Sequence, residues 1–304
     1  MKRILVLVLA LAFLLPGCSS GGGKSNLKSY DTGLGLELQL PAGFDKFDSD
    51  DFAYAISNED NVNLDSAKMV VFVNYEGDDT LRAQGVEYRN LKEYGEAVSE
   101  GDNIKTSAGM VGDRYIFDYD YDEYYYKIVC LQGNDGYYIV NFCCFNDSKD
   151  LPKRFDEFAQ AIKVKSIDQQ PDHTTFSNSH FTIELPNVFK EDDDSVDHSA
   201  DYAYLSYDIV DKELFDSWGM EYPANDERAV VEAIRKYNGD EAFEIKQDGD
   251  LYYYVYTGTD YSNFITVRKA SDSYLYCEGI TYADCESMLT PAFIKWFKSI
   301  KVNF

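Results

Sequence analysis

Apolar and polar residues alternate at two widely separated points of the chain. Leu36, Leu38 and Leu40 lead into Pro41 and Phe44; Phe181, Ile183 and Leu185 lead into Pro186 and Phe189. Period-two spacing marks a half-buried strand, and proline ends it. Acidic residues follow at both places, Asp45, Asp48, Asp50 and Asp51 in one and Glu191 to Asp194 with Asp197 in the other, and read as loops. Phe52-Ala53-Tyr54 and Tyr202-Ala203-Tyr204 then match as a second strand. Met69 to Tyr75 reads as a buried strand, with a weaker counterpart near Tyr207 to Val210. The stretch Asp208 to Ala224 has no clear period.

The spacing then changes to that of a helix. Asn90, followed by Glu93 as in a capping box, precedes Leu91, Tyr94, Ala97 and Val98 on one face. Asn225 or Asp226 precedes Ala229, Val230, Ala233, Ile234 and Tyr237. Gly101 and Gly239 are the expected stops. Three strands follow in each half. Tyr115, Phe117 and Tyr119 share a face, as do Tyr252, Tyr254 and Tyr256. Gly133 to Gly136 and Ala270 to Ser273 read as hairpin turns. The third strand, Tyr137 to Phe145, is apolar on both faces, as a covered central strand should be. Phe155, Phe158, Ala159 and Ile162, and then Phe293, Trp296, Phe297 and Ile300, place an amphipathic helix at each end.

These parallels are a repeat. Gly112 to Asp147 and Gly249 to Asp284 align without a gap, and nine of 36 positions are identical, among them Tyr124/Tyr261, Ile128/Ile265 and Tyr137/Tyr274. The fold class expected is α+β: two tandem domains, each a central antiparallel sheet flanked by helices in an α/β/α sandwich. The expected domains are residues 30–166 and 174–304, with 167–173 as linker; Ser166 to Asp172 is polar with one proline.

The amino terminus stands apart. A basic start, Met1-Lys2-Arg3, precedes the 12-residue apolar run Ile4 to Leu15. A helix needs ~20 residues to cross a bilayer core of about 30 Å, so the run fits a secretory signal, residues 1–17. Leu15-Pro16-Gly17-Cys18 resembles the bacterial lipobox, in which the cysteine receives a diacylglyceryl group. Residues 18–29 then read as lipidated Cys18 and a Gly/Ser tether. Loss of Lys2 and Arg3 takes the net charge from −26 to −28. Such a surface repels nucleic acid and anionic headgroups. The 26 tyrosines and 19 phenylalanines argue against disorder despite the charge.

No catalytic constellation stands out, and no metal or cofactor is expected. His173, His180 and His198 lack ligand spacing. Cys130, Cys143 and Cys277 stand where the other half has aliphatic residues, and so read as small buried hydrophobes. Asp118, Asp120 and Asp122 offer oxygen ligands for calcium, but strand alternation spaces them ~6.5–7 Å apart, which favours a solvated face. Tyr121, Tyr124, Tyr125 and Tyr126, with Tyr261 in the other half, lie around a bend and are the surface-recognition candidates. Asn141 and Glu278 align in the middle of the most apolar strand and are the pocket candidates.

The order of strand with Leu-Pro, further strands, helix, three antiparallel strands and a closing aromatic helix ending in Ser299-Ile300-Lys301-Val302 resembles the PsbP/DcrB-like superfamily. The resemblance covers Thr32 to Lys165 and Thr175 to Asn303, and Asp208 to Ala224 departs from it. It implies a central antiparallel sheet between helices, no enzyme, and an assembly, stability or binding module. The expectation is a lipoprotein anchored outside the cytoplasm, in the outer membrane if the cell has one, with a non-catalytic binding or assembly role and an envelope or surface protein as partner. A solute- or carbohydrate-binding lipoprotein and a hydrolase with an unrecognised site are the alternatives. One acyl chain holds a protein to a membrane only marginally, and two hold it stably. Cys18→Ser should therefore move the protein from the membrane to the soluble fraction on cell fractionation; unchanged membrane association contradicts lipidation.

Overall fold

The computed structural model describes residues 27–58, 69–100, 108–145, 151–165, 170–191 and 197–303. The signal segment, Cys18 and Gly101 lie outside them. The first half comprises β1 (Leu27–Asp31), β2 (Leu36–Pro41), β3 (Asp45–Phe47), β4 (Tyr54–Ser57), β5 (Val70–Gly77), α1 (Asp78–Ala83), α2 (Leu91–Glu100), β6 (Gly109–Val111), β7 (Arg114–Tyr121), β8 (Tyr124–Gln132), β9 (Gly136–Phe145), α3 (Leu151–Ala161) and β10 (Lys163–Val164). The second comprises β11 (His173–Ser177), β12 (Phe181–Pro186), β13 (Lys190–Glu191), β14 (His198–Ser199), β15 (Tyr204–Val210), α4 (Lys212–Trp218), α5 (Glu227–Asn238), β16 (Lys246–Asp248), β17 (Leu251–Thr257), β18 (Tyr261–Lys269), β19 (Tyr274–Tyr282), α6 (Glu286–Ser299) and β20 (Lys301–Val302).

Each half forms a seven-stranded antiparallel sheet, β3-β4-β5-β9-β8-β7-β6 and β13-β14-β15-β19-β18-β17-β16, and a three-stranded one, β1-β2-β10 and β11-β12-β20. Every strand of the second half repeats the one numbered ten lower. Register repeats too: Ile128 pairs with Asn141, and Ile265 with Glu278. The turns agree, with Gly133 N–H donating to Gly136 O at 2.8 Å and Ala270 N–H to Ser273 O at 3.0 Å. The fold is α+β, with two tandem sheet domains. The apolar strands β9 and β19 lie at the sheet centres, where both faces need cover.

On one face the closing helix provides it. Phe155, Phe158 and Ala159 of α3 pack on Val140, Phe142 and Cys144; Phe293, Trp296 and Phe297 of α6 pack on Phe264 and Cys277. Volume is exchanged between the copies. Phe142 stacks near Phe155 and Phe158 in the first, while its counterpart Gly279 leaves room for Phe293, whose ring lies where a Cβ would stand at 2.6 Å. Trp296 replaces Phe158 beside it. On the other face α2 covers Tyr115, Phe117 and Tyr137, and α5 covers Tyr254, Ile265 and Tyr274. Both helices are capped as their sequences predict: Asn90 Oδ1 accepts from Glu93 N–H at 3.1 Å, Asp226 Oδ1 from Ala229 N–H at 2.9 Å, and Gly239 closes α5 at φ 78°.

Several expectations are corrected. Phe52 to Tyr54 leads into β4 and Tyr202 to Tyr204 into β15, so they are not counterparts; β4 corresponds to β14, whose two residues carry too little pattern to read. Asp208 to Ala224 contains α4, begun by Asp211, whose side chain accepts from Leu214 N–H, and ended by Gly219 at φ 69°. Its seven residues are too few for a periodic signal. The tether ends sooner than residue 29, because Leu27 already pairs with Pro41, and His173 belongs to β11 rather than to the linker.

The symmetry breaks at α1. Whereas α4 packs within its own half through Phe215, α1 buries Leu81 in its own half but also rests on α6 and β12 of the second, where Ala83 is buried in the core. A buried ionic node locks it there. Asp172 Oδ2 accepts Gly77 N–H at 2.7 Å and the Thr80 hydroxyl. His173 bridges the two carboxylates, with Nδ1 3.1 Å from Asp172 Oδ1 and Nε2 at an ion-pair separation of 3.7 Å from Asp79 Oδ2. Lys295 Nζ of α6 reaches the same Asp79 oxygen at 2.7 Å. The Asp79, Asp172 and His173 side chains are only 4%, 12% and 7% exposed.

Burial disfavours charge on all three, but mutual hydrogen bonds and attraction outweigh it. The net result raises the His173 pKa above 6.5 and lowers both aspartates below 3.8. The histidine's contribution is complete below its unfolded pKa, about 6.5, and is lost as pH rises through the higher folded value; the aspartates' contribution is lost as pH falls through their lowered values. The joint is thus firmest in mildly acidic solution. His173→Gln leaves two buried carboxylates short of a counter-charge and should destabilise by roughly 3 kcal/mol. Thermal unfolding should show a larger loss at about pH 5.5 than at about pH 9; equal losses contradict the node.

Candidate functional site

A helix of 12 residues such as α5 is ~18 Å long, and a nine-residue strand such as β19 is ~30 Å. One helix of that length cannot cover the sheet face. α5 packs on β17 and β18, and α4 covers the end near Val210 and Tyr274. Beyond them the same face presents Tyr204, Ser206, Tyr256, Tyr261, Asn263, Glu278, Ile280 and Tyr282. All are half-buried or exposed, Tyr261 at 53% and Tyr282 at 45%.

The exposed rings are organised. Tyr261 and Tyr282 are direct partners across β18 and β19 and stack at 5.6 Å with 26° between planes. Tyr202 meets Tyr282 edge-on, at 5.6 Å and 71°. The first half positions Tyr202: its N–H donates to Ala83 O at 3.0 Å, and its ring lies on Gly85, where a Cβ would come within 2.5 Å. Gly85 has φ +81°, so glycine is required there twice over. Ala200 to Tyr204, Tyr261 and Ile280 to Tyr282 enclose an open groove of about 120 Å³.

The first half repeats the pair. Tyr124 and Phe145 stack at 5.0 Å and 27° in the equivalent register, next to stacked Tyr119 and Tyr126 at 4.9 Å. Tyr121, 70% exposed, lies on the same face by alternation. Tyr121, Tyr124 and Tyr126 are therefore brought together, with Tyr261 at the matching place in the other half. Tyr125 is not among them. It faces α3, stacks against Phe155 at 6.0 Å and donates to Asp118 Oδ2 at 2.7 Å. Asp118 is thus engaged, Asp120 is exposed, and Asp122 takes the hairpin turn at φ 55°. Among the described residues no three His, Cys, Asp or Glu side chains gather to hold a metal ion.

Asn141 and Glu278 occupy one position in the two copies, at the inner border of this aromatic face. Asn141 Oδ1 is buried without a hydrogen-bond partner. Burial pushes the Glu278 pKa up; the Tyr276 hydrogen bond offsets part of this, and the charge of Asp240 adds to it. Asp240 in turn accepts from the Tyr254 hydroxyl at 3.0 Å. The thiols are poor nucleophiles: burial pushes Cys130 to about 12 and Cys143 to about 11. His198 is buried edge-on to Phe176 and Tyr207, and burial lowers its pKa. The exposed chemistry is aromatic faces, phenol hydroxyls and carboxylates, which suits contact with sugars, peptides or cations.

Tyr202 and Tyr256 were read from the sequence only as strand residues, and Tyr282 was not singled out. Tyr282 was within reach, because Phe145/Tyr282 aligns in the repeated stretch as Tyr124/Tyr261 does. Tyr202 becomes a wall only through the contact between halves.

No family model matches the chain, and no curated protein matches it. Among solved structures, that of cyanobacterial PsbP (CyanoP) from Synechocystis sp. PCC 6803 is similar over 48% of this chain and 98% of that one, at 21% identity and a TM-score of 0.31. The immunity protein TplEi of the T6SS from Pseudomonas aeruginosa, complexed with "L" peptide, is similar over 92% of this chain and 99% of that one, at 9% identity and a TM-score of 0.22. Both TM-scores are low, and neither protein's role transfers to this chain.

The raised Glu278 pKa has a consequence for stability. A carboxyl whose folded pKa exceeds its ordinary value of 4.5 destabilises the fold progressively as pH rises past that value. Glu278→Gln should therefore raise the melting temperature at about pH 8 and leave it unchanged at about pH 4. A melting temperature lowered at the higher pH would show that the charged form is needed.

Proposed function

We propose that this chain is a lipoprotein of two PsbP/DcrB-like domains, anchored outside the cytoplasm through Cys18, that recognises a partner without chemistry of its own. The observation carrying this reading is the half-covered sheet face, which sets the same stacked aromatic pair, Tyr124/Phe145 and Tyr261/Tyr282, at its open end in both halves. Large, half-exposed rings that each bring two rotatable bonds suit recognition at low entropic cost. The Leu15-Pro16-Gly17-Cys18 junction and the Gly/Ser stretch after it support the anchor. The element order of the two halves supports the PsbP/DcrB-like reading.

The test compares proteins recovered with the anchored chain from solubilised membranes. The combined variant Tyr261→Ala and Tyr282→Ala should keep its melting temperature and lose a specific set of partners. Tyr237→Ala, at a 55% exposed ring of α5 that stacks on Trp218 away from this face, should keep them. Identical sets from all three chains contradict the proposal.

A further inference from the structure

The groove at the junction of Tyr202, Tyr261 and Tyr282 carries charge information as well as rings. The segments that form and flank it, 197–204, 258–263 and 280–286, contain Asp197, Asp201, Asp260, Asp284 and Glu286 and neither lysine nor arginine. Asp197 accepts the Tyr204 hydroxyl at 2.6 Å, and Glu286 accepts the Thr257 hydroxyl at 2.6 Å. Asp201, Asp260 and Asp284 are exposed. Arg82 of the adjoining α1 is held by Asp79 and Glu87, and His198 lies buried below with its pKa lowered. Apart from paired Arg82, the charged side chains that these segments set around the rings are all acidic.

We infer that this groove receives the side chain of an arginine presented by a basic protein partner. Four arguments converge. A tyrosine face attracts a cation through the ring quadrupole, and the stacked Tyr261/Tyr282 pair with Tyr202 edge-on to Tyr282 gives a flat wall and an edge to a planar guanidinium. Asp201 borders the groove to pair with it. The volume, about 120 Å³, is well below the ~300–1,000 Å³ of small-ligand pockets. It is suited to one side chain of a larger body whose remaining contacts lie on the open sheet face. The mature chain's charge of −28 (−26 less Lys2 and Arg3) steers such a partner towards it. The inference rests on the aromatic face being the recognition surface and adds the chemistry of the occupant.

The probe is the tripeptide acetyl-Gly-Arg-Gly-amide, titrated into the full chain while backbone amide shifts are followed by NMR. The isosteric citrulline peptide removes only the charge. Saturable shifts centred on residues 200–204, 261 and 280–282 are expected. Affinity should fall about tenfold with citrulline, and about fivefold in each of Tyr282→Ala and Asp201→Asn, with Tyr237→Ala unchanged. Shifts scattered over the acidic surface, or a citrulline peptide that binds equally well, overturn the arginine assignment. If the citrulline peptide still maps to the groove, the recognition face itself stands. Saturation of the same amides by an N-acetylglucosamine disaccharide and not by the arginine peptide overturns the assignment in favour of a sugar. No shift at these residues with either probe overturns it too, and the co-purification comparison then decides separately whether the face binds anything.

Discussion

The central strand of each large sheet is apolar on both sides, and both sides need cover. The closing helix and the three-stranded sheet meet that need on one face with a full set of large side chains. The opposite face has a helix of about three turns, set over the outer strands and joined in the second half by the short α4 at one end. What remains is a strip of sheet too wide for the helix and too apolar to leave bare. The chain fills it with tyrosine, whose ring packs on its neighbours and whose hydroxyl tolerates water. The exposed stacked pairs, the half-buried Glu278 and the partnerless Asn141 Oδ1 all follow from that shortage of cover.

Duplication alone would give two equal strips. The difference comes from α1, which keeps Leu81 in its own half's core and also docks on α6. It brings Gly85 and Ala83 against Tyr202, so the second strip gains a third ring and becomes a groove. The cost of this docking is a set of ionised groups taken out of water, and their stability depends on complete pairing. Asp172 shows how tightly the halves are coupled: it lies at the start of the second half, yet its carboxylate accepts the N–H of Gly77 and the Thr80 hydroxyl in the first. The ionic node therefore supports the groove from a distance, through the backbone between Asp79 and Gly85.

Much of the architecture was legible in the sequence. The ungapped repeat from Gly112 to Asp147 predicted the hairpins and the equivalence of Ile128 with Ile265 and of Asn141 with Glu278, and helix spacing predicted that of Phe158 with Trp296, because strand alternation and helix spacing are local periodic signals. Asn90 and Asp226 announced their helices for the same reason. Elements outside that stretch were harder to read. β14 has two residues and α4 seven, and Phe-Ala-Tyr resembled Tyr-Ala-Tyr although the sheet aligns them with different strands. The site was half legible. Tyr124, Tyr126 and Tyr261 share a face by alternation, while Tyr125 was misplaced among them because a bend was expected where β8 had already begun. Nothing local marks Asp172 and His173 as buried in a joint; that follows from the packing of one half on the other.

The central claim is that the aromatic strip is uncovered in the isolated chain and covered in the cell. Hydroxyl-radical footprinting of tyrosines compares the two directly. In the purified chain Tyr202, Tyr261 and Tyr282 should be oxidised as readily as Tyr237. In intact membranes these three should be protected while Tyr237 keeps its reactivity. Equal oxidation of all four rings in both preparations would contradict the account.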